Sequence, residues 1–134
     1  MPYASFEDLD VWKRGCRLAT DVYAAVRDSL DYGLKDQMTR AAVSVPSNIA
    51  EGHERDTTPE FVRFLKIAKG SCAELRTQLY IAKRIGAISQ EHAARMTEEC
   101  REIGAMLQGL IRSQAGKVKE EPDIGLPNEL KTEH

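Results

Sequence analysis

The sequence lacks long apolar runs, a basic and apolar leader, and closely paired cysteines. No apolar run approaches the ~18 residues that a membrane-spanning helix requires, so we expect no membrane partner. Residues 1–7 do not combine a basic segment with an apolar stretch, as a secretory signal does. The three cysteines include no C-x-x-C pair, which is typical of a reducing compartment. These absences together predict a cytoplasmic protein.

Catalytic and metal-binding patterns are scarce as well. No histidine lies four residues from another, and no E-x-x-H pair of the kind that holds di-iron centres in helical bundles is present. Cys16, Cys72 and Cys100 each fall on an apolar helical seam, where free thiols are inert core residues. No nucleophile is accompanied by a base. We therefore expect no metal, no cofactor and no enzymatic activity.

One acidic pattern leaves an enzymatic alternative open. Glu98, Glu99 and Glu102 form an E-E-x-x-E patch, and such carboxylates hold Mg²⁺ in some all-helical nucleotide hydrolases. That chemistry needs further carboxylates from a facing helix, whereas Asp28 and Asp31 lie at a helix end. A solvated helix face is therefore favoured, and a Mg²⁺-dependent nucleotide hydrolase is the weaker alternative.

The residues that are present predict one α-helical domain. With 134 residues, of which 42% are hydrophobic and 30% charged, the chain is long enough for a core. Apolar residues recur at steps of three and four over four segments, and no strand-like alternation competes with them. The segments run from Phe6 to about Leu30, from Leu34 to Glu54, from Pro59 to Ile85, and from Ser89 to Ala115. We predict an all-α, up-down-up-down antiparallel four-helix bundle over residues 1–116, followed by a mobile tail over residues 117–134.

Apolar seams and terminal residues give this prediction its details. Ser5, Thr57 and Ser89 stand where they can cap helices one, three and four. Gly33 is predicted to end helix one in the left-handed conformation, Gly86 to close helix three, and Pro46 to bend helix two. Each predicted helix has an apolar seam that faces the core. In the order of helices one to four, the seams are Leu9, Trp12, Cys16, Ala19, Tyr23, Val26 and Leu30; Leu34, Met38, Ala41 or Ala42, Val45 and Ile49; Phe61, Leu65, Ala68, Cys72, Leu75, Leu79 and Ala82; and Met96, Cys100, Ile103, Leu107 and Leu110.

Helix three carries more apolar surface than one packing partner covers. Phe64, Ile67, Ile81 and Ile85 lie on a flank beyond its seam. The residues nearly opposite the seam are small, and a helix of this kind tends to be buried on more than one side. A second copy of the chain is the simplest cover, so we expect a homo-oligomer. The candidate interface residues are Ile67, Gly70, Ala73, Thr77, Ile81 and Ile85.

Helix three is also the one basic segment of an acidic chain. Residues 58–86 contain six basic and two acidic side chains, whereas the whole chain has a net charge of −2. Lys69, Arg76 and Lys83 are spaced seven apart and therefore align along the helix at intervals of about 10 Å. Such a line suits a phosphate backbone, and the alternative is a solvated face paired with acids such as Glu98 and Glu102. The candidate nucleic-acid-binding residues are Lys66, Lys69, Arg76, Tyr80, Lys83 and Arg84.

Four polar residues of helix two form a further candidate set. Glu51 and Arg55 are four apart with the acid first, which favours a helical ion pair, and Asn48 lies one turn before Glu51. Because no nucleophile accompanies them, a structural network that orders helix two or joins subunits is favoured over a functional one. The set is Arg40, Asn48, Glu51 and Arg55.

Several blocks of the chain resemble one protein family. They are Y-G-L at 32–34, R-A-A-V-S-V-P-S-N-I-A-E-G at 40–52, the segment from Phe61 to Ser71, and D-L-D-V-W at 8–12. Together they are similar to the four-helix-bundle family encoded in intervening sequences of bacterial 23S ribosomal RNA genes. The likeness extends to about Ser113, and one branch of that family resembles the accessory variability proteins of diversity-generating retroelements.

The resemblance implies a homo-oligomer, a pentameric barrel in those relatives. In the retroelement branch it implies a cofactor of a reverse transcriptase that attaches to RNA or DNA through basic surface, and only the basic positions of helix three match that role here. Our leading hypothesis is therefore a non-enzymatic oligomeric scaffold with nucleic acid, or a reverse-transcriptase-like protein, as partner. The alternative is a structural oligomer that binds only other proteins.

Overall fold

A computed structural model of the chain describes residues 5–120, with side chains through residue 117. The described elements are a short 3₁₀ helix at Phe6–Asp8 and four α-helices: α1 at Asp10–Val26, α2 at Tyr32–Glu54, α3 at Thr58–Arg84 and α4 at Gln90–Glu120. Residues 5–120 contain no strand. The all-α class predicted from the sequence is confirmed.

The helices pack around a single core. α1 contacts α2 and α4, and α3 contacts α2 and α4, so each helix has two neighbours. The core between them includes Val22, Met38, Ile49 and Leu65, all fully buried, and it continues along α4 to Ile111. This is a four-helix bundle, as predicted. The up-down direction of successive helices and a bend at Pro46 stay predictions. No helix in residues 5–120 is apolar and long enough to cross a membrane.

Side-chain caps begin the helices largely where the sequence predicted. The Thr57 hydroxyl accepts a hydrogen bond from the amide of Glu60 at 3.3 Å, and the Ser89 hydroxyl accepts one from the amide of His92 at 3.1 Å. Ser5 also caps, but it serves the 3₁₀ helix rather than α1. Gly86 has a φ of 75°, the left-handed conformation expected of the residue that closes helix three.

The prediction for the end of helix one is wrong. α1 ends at Val26, and Gly33 lies inside the first turn of α2, without a positive φ. The cause is Asp31, whose carboxylate accepts a hydrogen bond from the amide of Leu34 at 3.1 Å and so starts a new helix at Tyr32. A capping aspartate immediately before a tyrosine and a glycine thus outweighs the usual preference of glycine for a helix end.

The predicted seam of helix one is only partly correct. Leu9, Ala19 and Val26 are buried, but Tyr23 is 52% exposed and Leu30, which lies beyond the helix, is 81% exposed. The buried face instead follows Val11, Gly15, Leu18, Ala19, Val22 and Val26. Gly15 faces α2, and a Cβ added there would lie 3.4 Å from the ring of Pro46. Trp12 and Cys16 are only partly buried, at the edge of the core.

The other seams agree better with the structure. All seven predicted residues of the α3 seam are buried. On α4, Met96, Cys100, Ile103 and Leu107 are buried, and Leu110 is partly buried. The helix does not stop at Ala115–Gly116 as predicted but continues to Glu120, because a glycine disfavours a helix by only about 1 kcal/mol. The remainder of the predicted tail, residues 121–134, lies outside the described residues.

Candidate nucleic-acid interface

The exposed face of α3 has two edges with different chemistry. On one edge, Lys69 and Arg76 line a groove between α3 and α4, which we call the α3–α4 groove. On the other edge, Thr77 and Ile81 line a groove between α2 and α3, the α2–α3 groove. Two residues of the predicted basic stripe and two of the predicted interface set thus line grooves on different edges of one helix.

The α3–α4 groove has a volume of about 250 Å³. Its floor is formed by the buried thiols of Cys72 and Cys100 and by small residues, and its rim is polar. The Lys69 ammonium donates a hydrogen bond across it to the Oε1 atom of Gln108. Its lining residues are Lys69, Cys72, Ala73, Arg76, Cys100, Arg101, Gly104, Ala105 and Gln108. The stripe prediction contained Lys69 and Arg76 but not Arg101 or Gln108, because their position depends on how α4 is turned.

The cations of the stripe have no acidic partner in the part of the chain that the structure describes. Glu98, which the sequence suggested as a partner, instead lies 3.4 Å from Arg101, and Glu102 lies 3.3 Å from Arg14. Lys69 bonds to a neutral amide oxygen, so its charge is not compensated. The residues without a described salt bridge are Lys66, Lys69, Arg76, Lys83 and Arg84.

The thiols beneath this groove are unreactive by their environment. Burial raises the pKa of Cys72 and of Cys100 to about 12, and the positive charge of Arg76 opposes that rise in both. At neutral pH both remain protonated, as expected of core cysteines. The half-buried Cys16 lies on α1, and burial raises its pKa as well.

The candidate interface residues are mostly exposed, but they do not share one surface. Ile67, Ile81 and Ile85 are 42%, 47% and 58% exposed on the flank toward α2. Gly70, Ala73 and Thr77 are also exposed, but Ala73 belongs to the lining of the α3–α4 groove. An interface built on the isoleucines would therefore use the α2 side of α3 and leave the basic edge uncovered.

Gln78 is a residue of the α2 side that the sequence did not single out. Its side chain is 7% exposed, and within the described residues its Oε1 atom accepts no hydrogen bond. It lines the α2–α3 groove with Gln37, Arg40, Glu74, Thr77 and Ile81. A buried acceptor beside an exposed isoleucine is costly unless a donor reaches it. No sequence pattern marked Gln78, so sequence reasoning had nothing to detect it by.

The four polar residues predicted as one network separate into three local contacts. Arg40 pairs with Asp36 at 2.9 Å, and Arg55 pairs with Glu51 at 3.2 Å while lying over the ring of Phe64. The Asn48 amide donates hydrogen bonds to the carbonyl and the hydroxyl of Ser44 at 2.8 Å and 2.9 Å. The Ser44 hydroxyl in turn lies 2.8 Å from that of Ser71. Asn48 therefore helps to join α2 to α3, and the ion pairs lie outside that contact.

The E-E-x-x-E patch is engaged by an arginine from a different helix. Arg14 of α1 donates two hydrogen bonds to Glu99, one of them from Nε at 2.9 Å, and it also contacts Glu102 and the sulfur of Met106. These hydrogen bonds hold the pKa of Glu99 below its ordinary value. No group of three potential metal ligands occurs in residues 5–120. The carboxylates thus have a structural use that joins α1 to α4.

These features define an all-helical bundle with one basic, acid-free edge. The sequence matches the model of the 23S rRNA-intervening sequence protein family over residues 7–109. The chain therefore belongs to this family, as its motifs indicated.

A solved structure agrees with the fold. It is that of a protein with unknown function from the S23 ribosomal protein family of Bacteroides thetaiotaomicron. The two chains are 21% identical and superpose with a TM-score of 0.72, over 75% of this chain and 97% of the other. No curated protein matches the sequence.

Proposed function

We propose that this protein is a non-enzymatic homo-oligomeric scaffold that binds the phosphate backbone of RNA or DNA through the basic edge of α3. The observation that carries this proposal is that the stripe cations make no salt bridge to the acids of the described chain. Cations that the protein's own acids do not neutralise remain available to contact phosphates.

Assembly is supported by the apolar flank of α3. Ile67, Ile81 and Ile85 are large, exposed and on one side of the helix, where solvent contact is unfavourable. The pentamer of the relatives is the stoichiometry we propose. A ring would repeat the basic edge in every copy, and the repeated weak contacts would bind one nucleic-acid strand with higher avidity.

Binding is tested by charge reversal of the stripe. The variant Lys69→Glu, Arg76→Glu and Lys83→Glu is expected to weaken binding of a single-stranded RNA at least about 100-fold at low salt, because each change removes a phosphate contact and adds repulsion. Fluorescence anisotropy measures the affinity, and light scattering checks that assembly is unchanged. The matched control reverses Lys13, Arg17 and Arg27, which are exposed on the α1 side. Equal losses in both variants would contradict the proposal.

Assembly is tested separately by a charge on the apolar flank. Ile81→Lys is expected to lower the particle mass in light scattering to that of the 15.0 kDa chain, because a buried unpaired charge opposes association. Tyr23→Lys, an equally exposed position on α1, is the control and should not change the mass. A parent protein that is already monomeric at high concentration would contradict the proposal.

The second candidate, an oligomer that binds only proteins, is favoured by the acidic balance of the chain as a whole, which has a net charge of −2. It predicts intact assembly in the parent protein together with no RNA binding at any salt concentration. The same anisotropy and scattering measurements therefore distinguish the two.

A further inference from the structure

The α3–α4 groove collects cations from both of its walls. Lys69 and Arg76 come from α3 and Arg101 comes from α4, and no acid is among the lining residues. The Gln108 amide uses its oxygen to accept from Lys69, which leaves its NH₂ group as a donor on the same rim. A concave surface with several convergent donors and uncompensated positive charge is suited to an anion.

The floor of this groove leaves room for a ligand to approach the helix backbone. A Cβ added at Gly104 would have nothing within 4 Å. The neighbouring lining residues Ala73 and Ala105 have short side chains. Long arginine and lysine side chains therefore surround an open, shallow space, where they can converge on a small group.

We propose that the α3–α4 groove binds a phosphate group, with Lys69, Arg76 and Arg101 supplying the charge and Gln108 an additional donor. The inference deepens the proposed function, on which it rests for the source of the phosphate. It also brings α4 into the binding surface, since Arg101 and Gln108 are absent from the stripe.

The one acid in contact with this set does not close the groove. Glu98 lies 3.4 Å from the Nη1 atom of Arg101, and both side chains are more than half exposed. Exposed pairs three residues apart on a helix are weak, and Arg101 retains further N–H donors for an anion. A phosphate can therefore compete with Glu98 for this guanidinium.

Pyrophosphate is the probe for the site, since it carries the phosphate chemistry without a base or a chain. Calorimetric titration of the full-length protein is expected to show binding, which Arg101→Ala weakens about tenfold because a charge-assisted contact is lost. Competition of pyrophosphate with labelled single-stranded RNA then tests the source. Competition indicates a nucleic-acid phosphate, and pyrophosphate binding without RNA binding indicates a free phosphate compound.

A steric pair of variants separates a groove from general surface charge. Gly104→Leu places a side chain in the groove without altering charge and should weaken pyrophosphate binding at least about tenfold. Gly109→Leu is the matched control on the same helix, since its Cβ also meets nothing within 4 Å but it does not line the groove. It should bind as the parent does, and circular dichroism confirms that both variants are folded.

The outcomes for the groove and for the stripe differ. Absence of pyrophosphate binding, or equal pyrophosphate affinity in Gly104→Leu and Gly109→Leu, would overturn the proposal that the groove binds phosphate. If RNA binding were then lost on reversal of the stripe but not in Gly104→Leu, the proposed function would stand without it. If the protein binds pyrophosphate, loses that binding in Gly104→Leu and binds no RNA, the phosphate site in the groove would stand. The proposed nucleic-acid function would then be overturned.

Discussion

Two grooves flank α4, and they use arginine in opposite ways. The groove with α1 is lined by Arg17, Leu18, Asp21, Arg95, Met96, Glu98, Glu99 and Glu102, so acids outnumber bases there. Arg14 beside it makes two hydrogen bonds to Glu99 and a further contact with Glu102. The α3–α4 groove has three cations and no acid in its lining. Arginine thus joins two helices on one side of α4. On the other side Arg76 makes no described salt bridge, and Arg101 has only an exposed contact with Glu98.

This difference shows why the net charge of the chain is a poor guide to its surfaces. An overall charge of −2 suggests no affinity for a polyanion. The acids that produce it are, however, committed in part to contacts between or within helices, as Glu99 is to Arg14 and Glu60 is to Arg63. The local distribution of charge, rather than its sum, determines what a surface can bind.

The largest effect of one substitution on RNA affinity is expected when the α3–α4 groove is given an acid of its own. Ala105→Glu places a carboxylate among Lys69, Arg76 and Arg101, so that they become paired as Arg14 is. We expect RNA affinity to fall at least about tenfold, because one cation is neutralised and one repulsion added. Ala94→Glu adds the same charge at an exposed α4 position outside the groove and is the control. Equal RNA affinities of the two variants, measured by fluorescence anisotropy, would contradict the proposal that the α3–α4 groove contributes to binding.

Removing Arg14 should affect stability and not binding. Its side chain and that of Glu99 are 28% and 26% exposed, so Arg14→Ala leaves a partly buried carboxylate without its donors. We expect a loss of about 1–2 kcal/mol in the free energy of unfolding by urea. Arg17→Ala, an exposed position three residues on, should change it by less than about 0.5 kcal/mol. A change in RNA affinity in Arg14→Ala would contradict the separation of roles.

Acid should weaken the α1–α4 contact through Glu99. The hydrogen bonds from Arg14 lower the pKa of Glu99 from its ordinary value of 4.5. A carboxylate with a lowered folded-state pKa stabilises the fold above pH 4.5, and this contribution is lost as the pH falls through the folded-state pKa. Glu99→Gln should therefore flatten part of the fall in stability below that pH. If the free energy of unfolding falls equally with pH in the parent and in Glu99→Gln, Glu99 does not contribute to the acid sensitivity of the fold.

The smallest effect concerns the thiols. Cys72 and Cys100 lie under the α3–α4 groove with pKa values of about 12, whereas Cys16 is half-buried at the edge of the core. Alkylation at neutral pH should modify Cys16 first and the other two only on unfolding. Mass spectrometry of a short time course identifies the site. Early modification of Cys100 would indicate that the groove opens more deeply than described.

Local signals predicted the features that depend on one helix. The α3 seam consists of seven apolar residues at steps of three and four within one helix. The cap at Thr57 follows from its hydroxyl and the next few residues. The stripe of α3 is of the same kind, since rotation about one axis defines it. In each case the physical cause lies within a few turns of chain, which a sequence displays directly.

Features that depend on two helices were not predicted. The Arg14–Glu99 contact joins residues 85 apart in sequence, and the place of Arg101 in the groove depends on the rotation of α4 against α3. Tyr23 was placed in the core although it is 52% exposed, because the face that α1 buries depends on its packing against α2 and α4 and no pattern within α1 reveals it. Asp31 was missed because an aspartate cap and a glycine helix end compete over two residues.

The most direct test is the salt dependence of RNA binding by the intact protein. The logarithm of the association constant should fall linearly with the logarithm of the salt concentration, because bound phosphates release counterions. Removing Lys69, Arg76 and Lys83 together, each as alanine, should lower the magnitude of that slope by about one per cation removed in each bound copy. An affinity that does not change with salt, or a slope unaltered in the triple-alanine variant, would contradict the proposal that the unpaired cations of α3 bind phosphate.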